Sequence, residues 1–566
     1  MSRQILPDKL CPGEPLFADN WCVDESWVRS SKAWRAVKIW TRVGVTAVAL
    51  IAQLTLFVVL LLWFQESASW VTAVSVGVSV LVVAHVLNSR MAIEYKLAWS
   101  IVILLMPLFG GIFYVLFGSR GGSRRSMERY RIIQDTFALD QLSAPGAVGV
   151  HPAPDLRQIG SHLSSKEMEP VGQVCLPANP ARQATMLADA GPFIAYRDTA
   201  TTYYPVGEDA FADMLEALEG AEHWIALEYF IVADGTMLDQ IAEILFNKVK
   251  QGVKIWFMYD DWGSALRMPA ELPGQMRAAG IKVHAMNKLG LGLTLRYNNR
   301  DHRKMLVVDG VTAFTGGINI ADEYINAVTR FGHWKDTSIK LCGPGAWGMA
   351  ALFFTLWEQT SGDHVEIAGL RPSLGAVAAA AQPGSGLVMC YDDDPFDDIS
   401  LGWDAYRGLM SRATTSIDVM TPYFIPTGEM ISVFRAAASS GVRVRLMTPG
   451  VPDKPSVYAV TRSNYRPLVE AGVEIYEYTP GFLHAKQMVV DGETAIIGTI
   501  NFDFRSFFLH QENAVWMYQT PAIADMTADF EKAVAVSRRI TLAEVRSVPW
   551  VRRFGTTILR TFSVML

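Results

Sequence analysis

One nine-residue phrase occurs twice in this chain, and its duplication limits the possible folds more than any other feature. His302-Arg303-Lys304-Met305-Leu306-Val307-Val308-Asp309-Gly310 is followed by Gly316-Gly317-Ile318-Asn319. The second copy, 182 positions later, is His484-Ala485-Lys486-Gln487-Met488-Val489-Val490-Asp491-Gly492, followed at the same offset by Gly498-Thr499-Ile500-Asn501. Both copies read H-x-K-x4-D-G and then G-x-x-N. A lone match of this length is weak, whereas two at matching positions of a longer duplication mark a site.

The flanking sequence repeats in the same order. Asp209–Ala221 and Met237–Gln251 have helical periodicity, and Trp224–Val232 and Val253–Tyr259 are apolar strands. The rhythm returns with helices at Ala405–Ala413 and Met430–Ser440 and strands at Ser416–Met420 and Val442–Met447. Tyr229-Phe230-Ile231 matches Tyr423-Phe424-Ile425, and Gly252-Val253 matches Gly441-Val442. This β-α-β alternation implies an α/β fold of two similar mixed-sheet units, residues 186–370 and 371–540, packed face to face. The repeat is far longer than a solenoid's.

The phrase also carries chemistry. Residues i and i+2 of a strand share a face, so His302 projects with Lys304 and His484 with Lys486. The Asp-Gly pairs suit a tight turn, and the return strand brings Asn319 and Asn501 back beside the histidines. Lysine and asparagine stabilise charge on phosphoryl oxygens, and a neutral imidazole can attack phosphorus while a second, protonated one releases an alcohol. The candidate catalytic set is His302, Lys304, Asp309, His484, Lys486 and Asp491, with Asn319 and Asn501 on the phosphate. Asp309 and Asp491 sit past the strand at a turn, a position better suited to orienting backbone. Each histidine needs an acceptor on its other nitrogen; Asp336 is the candidate for His302 and Glu512 for His484, although either could be an ordinary ion-pair member.

No metal or cofactor is implied. The remaining histidines, His510 among them, have no metal-ligand spacing, and the acidic run Asp392-Asp393-Asp394 with Asp397 and Asp398 reads as a solvated loop. The five cysteines are scattered with no C-x-x-C pair, which excludes a disulfide framework or a zinc site.

Half of the 566 residues are hydrophobic and only 19% are charged, and the excess is local. After a polar tail (1–42), residues 43–118 hold three apolar runs, Val43–Phe64, Trp70–Leu87 and Leu97–Phe117. Each could cross about 30 Å of hydrocarbon, as an α-helical transmembrane anchor. Pro107 and Gly110-Gly111 could break the third run. Basic residues flank the runs at both ends, so an even number of crossings and a cytoplasmic catalytic part are expected. Residues 119–185 read as a linker with one surface helix near Arg124–Leu139. Val545–Leu566, within a C-terminal segment 541–566, interleaves Arg546, Arg552, Arg553 and Arg560 with Trp550, Phe554, Ile558, Leu559 and Phe562, a pattern suited to an anionic membrane surface. A net charge of −6 and the anchor argue against nucleic acid as partner.

At these residues the chain resembles the phospholipase D superfamily, whose signature is the duplicated H-K-D phrase, and more narrowly the bacterial cardiolipin synthases. Further likeness lies in Lys96-Leu97-Ala98-Trp99, Asn299-Arg300-Asp301-His302, Thr421-Pro422-Tyr423-Phe424-Ile425-Pro426 and Tyr478-Thr479-Pro480-Gly481-Phe482-Leu483-His484. The resemblance implies a multi-pass protein of the bacterial cytoplasmic membrane. It would make cardiolipin and glycerol from two phosphatidylglycerol molecules through a phosphohistidine, with His302 as nucleophile and His484 as acid, then base. A hydrolase, or a transferase using another alcohol, is the nearest alternative; a nuclease and a non-catalytic scaffold follow. Two features depart from the family: the run Val43–Phe64 and the acidic stretch after Tyr391. The apolar loops Leu289–Leu293 and Gly481–Leu483 suit acyl chains at a site mouth.

Overall fold

The computed structural model describes residues 55, 69–89, 91–107, 109–118, 124–152, 173–191, 193–288, 299–395 and 399–563. The polar tail, the first apolar run apart from one residue, the loop Leu289–Leu293, and Asp397 and Asp398 lie outside these residues.

Two mixed sheets carry the fold. The first runs, edge to edge, Ala200–Tyr204, Ser338–Cys342, Thr312–Gly316, Lys304–Val308, Trp224–Tyr229, Lys254–Asp260 and Lys282–Met286. The second contains, in the corresponding order, Leu387–Asp393, Glu512–Tyr518, Thr494–Gly498, Gln487–Val490, Ser416–Met420, Arg443–Pro449 and Glu474–Tyr478. Pairing sense also agrees at every step: antiparallel up to the H-x-K strand and its neighbour, then parallel for the last two pairings. The apolar strands are buried along their length because helices cover the faces, as a near-continuous Val/Ile/Leu pattern requires. The expected strand Ser416–Met420 is observed to the residue, and the expected helices and other strands are displaced by a few residues.

One helix unread in the sequence lies at the centre. Gly345–Ser361 is buried on all sides from Gly345 to Trp357 and touches strands of both sheets. A helix apolar all round belongs inside a large core.

Residues 119–185 differ from the expected connector. Arg124–Leu142 is a helix that buries Tyr130, Ile133 and Phe137, and Ala147–Pro152 and Gln173–Leu176 extend the second sheet. Ala195–Arg197, expected in the first unit, also joins the second sheet, antiparallel to Leu387–Asp393. The strand supplies donors and acceptors that the edge of Leu387–Asp393 would otherwise leave unpaired. The acidic run is buried rather than solvated: Asp392 accepts from Arg303 and Tyr130, and Asp393 from the backbone of Leu401 and Gly402.

Near the N-terminus, Ser69–Asn88 and Ile93–Leu105 pack on each other, and the second ends just before Pro107. Among the described residues no helix is long and apolar enough to cross a membrane, so the expected three-run anchor is not observed there. The Pro107 break divides the third run into Ile93–Leu105 and a short segment from Phe109, because proline withholds a helical donor. This helix pair is fixed to the second half of the protein. Tyr95 stacks on Phe504 at 5.5 Å, and Glu94 Oε1 accepts from Gly428 N at 2.7 Å. The C-terminal helix Trp550–Phe562 packs beside Ile93–Leu105 and leaves Trp550, Val551 and Phe554 exposed.

Candidate active site

Both H-x-K phrases lead into central strands whose far ends are pinned by the aspartates. Asp309 and Gly310 are left-handed at φ 51° and 70°, and Asp491 and Gly492 at 55° and 67°, as an Asp-Gly turn favours. From there the Asp309 carboxylate accepts the backbone N–H groups of Glu222, His223 and Trp224. Asp491 accepts those of Thr414, Thr415 and Ser416. These contacts lock the start of one strand to the end of its neighbour. Asp309 and Asp491 thus clamp backbone at the end of the strand away from the histidines, the orienting position that their turn suggested.

At the other end the halves meet, with each histidine held by the opposite unit. His302 Nδ1 lies 2.9 Å from Glu512 Oε2, and His484 Nδ1 lies 2.6 Å from Asp336 Oδ2. Each acid therefore lies on the other histidine from the one expected, Glu512 on His302 and Asp336 on His484. The backbone gives the reason. His302 N donates to Gln511 O at 2.9 Å and His484 N to Lys335 O at 2.7 Å. In both cases the acceptor residue immediately precedes the carboxylate. The chain entering each histidine thus pairs with the chain entering the other half's acid, through parallel bridges Asp301–Gln511 and Lys335–Leu483.

With Nδ1 committed to a carboxylate, each imidazole has Nε2 left for chemistry. Lys304 Nζ donates to His302 O at 2.6 Å, and Lys486 Nζ donates to His484 O. Both lysines are 1% exposed. Burial pushes Lys304 down to about 8 and Lys486 down to about 7. Burial, then Lys486, lowers His484 to about 4; burial, then Lys304, holds His302 well below its usual value. Both imidazoles are thus biased toward the neutral form. A phosphodiester anion would favour charge on the lysines and on one histidine. Two buried lysines beside two imidazoles are an arrangement that can hold an anion next to a nucleophile.

The asparagines divide. Asn319 is a bracket: its Oδ1 accepts from Ile231 N at 2.9 Å and its Nδ2 donates to Tyr324 Oη at 2.7 Å. Its Nδ2, the atom that would donate to a phosphoryl oxygen, is directed to the Tyr324 hydroxyl here. Asn501 is buried with Oδ1 unpaired among the described residues. The loop Gly481–Leu483 packs Phe482 on Trp334 at 4.8 Å instead of forming a flexible mouth.

Three contributors had no signal in the phrase itself. Arg303, between His302 and Lys304, is buried and bidentate on Glu228 (2.7 and 2.9 Å), and it reaches Asp392 of the other half at 3.0 Å. Asn513 accepts from Lys304 N at 3.3 Å and donates to Thr315 Oγ1 at 2.8 Å, again across the halves. His510 comes within 5.6 Å of His302, ring to ring. Among the described residues His302, His510 and Glu512 form one group whose ligand atoms fall within 4.8 Å. Arg505 Nε donates to His510 Nε2 at 3.4 Å. This contact places the neutral ring's proton on Nδ1, the nitrogen that faces Glu512.

The chain is similar to known proteins over most of its length. Residues 406–534 match a family described as "Cardiolipin synthase, PLD-like domain", and residues 77–119 match "Phospholipase_D-nuclease N-terminal". A cardiolipin synthase of Alkalihalophilus pseudofirmus is 31% identical over 83% of this chain and 88% of its own length. An uncharacterised protein of Streptococcus mutans is 35% identical over 81% of this chain and 94% of its own. A solved phosphatidylserine synthase from Haemophilus influenzae superposes with a TM-score of 0.48 at 14% identity, covering 66% of this chain and 95% of that one.

Proposed function

This chain belongs to the bacterial cardiolipin synthase family and is a phosphatidyltransferase of the phospholipase D type; from that premise we propose that it joins two phosphatidylglycerol molecules through a phosphohistidine. The observation that carries the reading is the crossed pair of imidazoles, each with Nδ1 held by a buried carboxylate of the opposite half.

His302 Nε2 attacks the phosphorus of the first lipid, forming a P–N bond. The P–O bond to the glycerol headgroup breaks, and His484, protonated once the anionic lipid is bound, gives its proton to the departing oxygen. Glycerol leaves. The headgroup hydroxyl of a second phosphatidylglycerol then loses its proton to His484 and attacks phosphorus. The P–N bond breaks, His302 is restored, and cardiolipin forms. Lys304 and Lys486 offset the charge that builds on the phosphoryl oxygens in both steps. No cofactor enters either step.

The lipid partner gives meaning to the surface beside the site. The helix Ile93–Leu105 and the C-terminal helix Trp550–Phe562 lie together, with Leu104, Leu105, Trp550 and Phe554 exposed and Arg552, Arg553 and Arg560 interleaved. This is the composition of a face resting on an anionic bilayer. We place the protein at the bacterial cytoplasmic membrane, anchored through its N-terminal third, with the catalytic part on the cytoplasmic side.

Labelled phosphatidylglycerol in vesicles, given to the purified full chain with and without a chelator, tests the function. Cardiolipin plus glycerol, indifferent to chelation, is the expected result. Phosphatidic acid alone would make the protein a hydrolase, and a product formed only with another alcohol would make it a different transphosphatidylase.

A further inference from the structure

The two histidines have equivalent backbone settings and unequal neighbours. The residue two before each carboxylate faces the histidine of the other half: Trp334 lies 5.4 Å from His484, and His510 lies 5.6 Å from His302. A third imidazole therefore occupies, on one side only, the place of an indole on the other.

His510 is oriented. Its Nε2 accepts from Arg505 Nε at 3.4 Å, which leaves the ring proton on Nδ1. That nitrogen is buried without a hydrogen-bond partner, 3.6 Å from Glu512 Oε1. Glu512 already takes His302 on one edge and the Thr499 hydroxyl on Oε2. Arg505 belongs to the short helix Phe504–Phe508, whose Phe504 stacks on Tyr95. The third imidazole is thus held from the N-terminal helix pair and aimed at the carboxylate.

We propose that His510 is a positioning residue that donates from Nδ1 to Glu512 during turnover, shares that carboxylate with His302, and so keeps His302 the less basic, nucleophilic imidazole of the pair. The inference rests on the proposed reaction for its assignment of roles. A carboxylate with a second donor offers less negative charge to the first. An imidazolium at His302 is then less favoured, and its Nε2 lone pair stays free at lower pH. The charged and titratable groups near His302, His510 and Glu512 are Lys304, Lys486, His484, Arg505, Arg300 and Asp503. Lys304, Lys486 and His484 act on His302 in the same sense as His510, and Arg505 and Arg300 act on His510 itself. Trp334 also carries an N–H, but that indole nitrogen is buried without a hydrogen-bond partner among the described residues and so does not donate to Asp336, whereas His510 Nδ1 already lies 3.6 Å from Glu512 Oε1.

The sign follows from this pairing. Removing the His510 donor leaves Glu512 to His302 alone and raises the pH at which His302 becomes neutral. His510→Leu should shift the acid limb of kcat/KM to higher pH by about half a unit or more, with KM little changed. His510→Asn, whose side-chain amide can donate from near the Nδ1 position, should restore the wild-type limb. Both profiles are read on phosphatidylglycerol vesicles and on bis(4-nitrophenyl) phosphate. The second substrate needs only the site chemistry, so it keeps the test independent of the lipid reading. If wild type turns over the chromogenic diester and makes no cardiolipin, the lipid reading falls and the His510 comparison still stands. An unmoved limb in His510→Leu, or equal shifts in the leucine and asparagine variants, overturns the proposal.

Discussion

The two halves share seven strands in one order, an H-x-K phrase and a backbone clamp, yet their histidines stand in different surroundings. His484 pairs with a short carboxylate, Asp336, packed against Gly317, where an added Cβ would fall 2.0 Å from Oδ1. Trp334 and Tyr324 close its other sides at 5.4 Å each. His302 pairs with the longer Glu512. Thr499 stands in place of Gly317 and spends its hydroxyl on that carboxylate, and His510 stands in place of Trp334. His484 is closed in by aromatic walls from the opposite half, whereas His302, with Phe230 at 5.1 Å, faces a carboxylate surrounded by polar partners. Duplication supplies two equivalent imidazoles, and these few side chains make them unequal, which a nucleophile and an acid working across one phosphate require.

The comparison breaks most visibly if either histidine is dispensable. His302→Ala and His484→Ala should each lose cardiolipin formation by at least about 10³-fold in steady-state assays. Residual synthesis near wild type in either variant would mean that the halves do not form one site.

Crossing of the carboxylates comes next. Glu512→Gln and Asp336→Asn keep the shape and should cost roughly 10²- to 10⁴-fold in kcat, since an amide can turn either its oxygen or its NH2 to the ring and no longer fixes the tautomer. Single-turnover traces should divide them. Glu512→Gln slows phosphoenzyme formation with His302, whereas Asp336→Asn slows release of glycerol and transfer. The opposite division would return each acid to the histidine of its own half.

The lysines sharpen the contrast through pH. Both are lowered by burial, Lys486 to about 7 and Lys304 to about 8. A lysine with a lowered value keeps its charge below that pH and loses it as pH rises through it. Lipid KM should therefore climb on the alkaline side of neutrality, starting with Lys486. In Lys486→Met the first part of that rise should disappear, leaving a weaker but flatter profile. An unchanged alkaline profile would remove Lys486 from phosphate binding.

The smallest effects belong to the aspartate clamps, where the halves are alike. Asp309→Asn and Asp491→Asn should each lower stability by about 1–3 kcal/mol in denaturant melts while kcat per folded molecule holds. Burial acts against charge on Asp491, and the backbone N–H groups of Ser416, Thr415 and Thr414 outweigh it, so its carboxyl is held below the usual value. Its contribution is present above the unfolded carboxyl value and is lost as pH falls through the lower folded one. Asp491→Asn should therefore reduce stability at pH 7 and leave it little changed in strong acid. A fall in kcat equal to that of the histidine variants would return the aspartates to the chemistry.

How much of this was legible in the sequence depended on whether the information was local. The phrase, its strand and its turn are local, and Ser416–Met420 was read to the residue. The duplicated order gave both sheets. The crossing of Asp336 and Glu512 was not legible, because each acid follows the H-x-K histidine of its own half in the chain and nothing in H-x-K says which histidine it will face. The same holds for Arg303, which reads as the filler of H-x-K and spans 89 positions to reach Asp392. Asp392 itself read as solvent-exposed because charge runs usually are, and its partner was invisible. By contrast, the helix Gly345–Ser361 was readable: Ala346-Trp347-Gly348-Met349-Ala350-Ala351-Leu352-Phe353-Phe354 is apolar on every face, which only a core helix can be.

The account turns on the two halves forming one site with unequal roles, and the position of the covalent bond tests that most directly. Phosphatidylglycerol labelled at phosphorus, quenched within a turnover and followed by peptide mapping under alkaline conditions, should place label on His302 in the wild type. Label should persist there in His484→Ala and be absent in His302→Ala. Label on His484 in the His302→Ala variant would reverse the roles, and turnover to cardiolipin with no covalent label on either histidine would contradict the account.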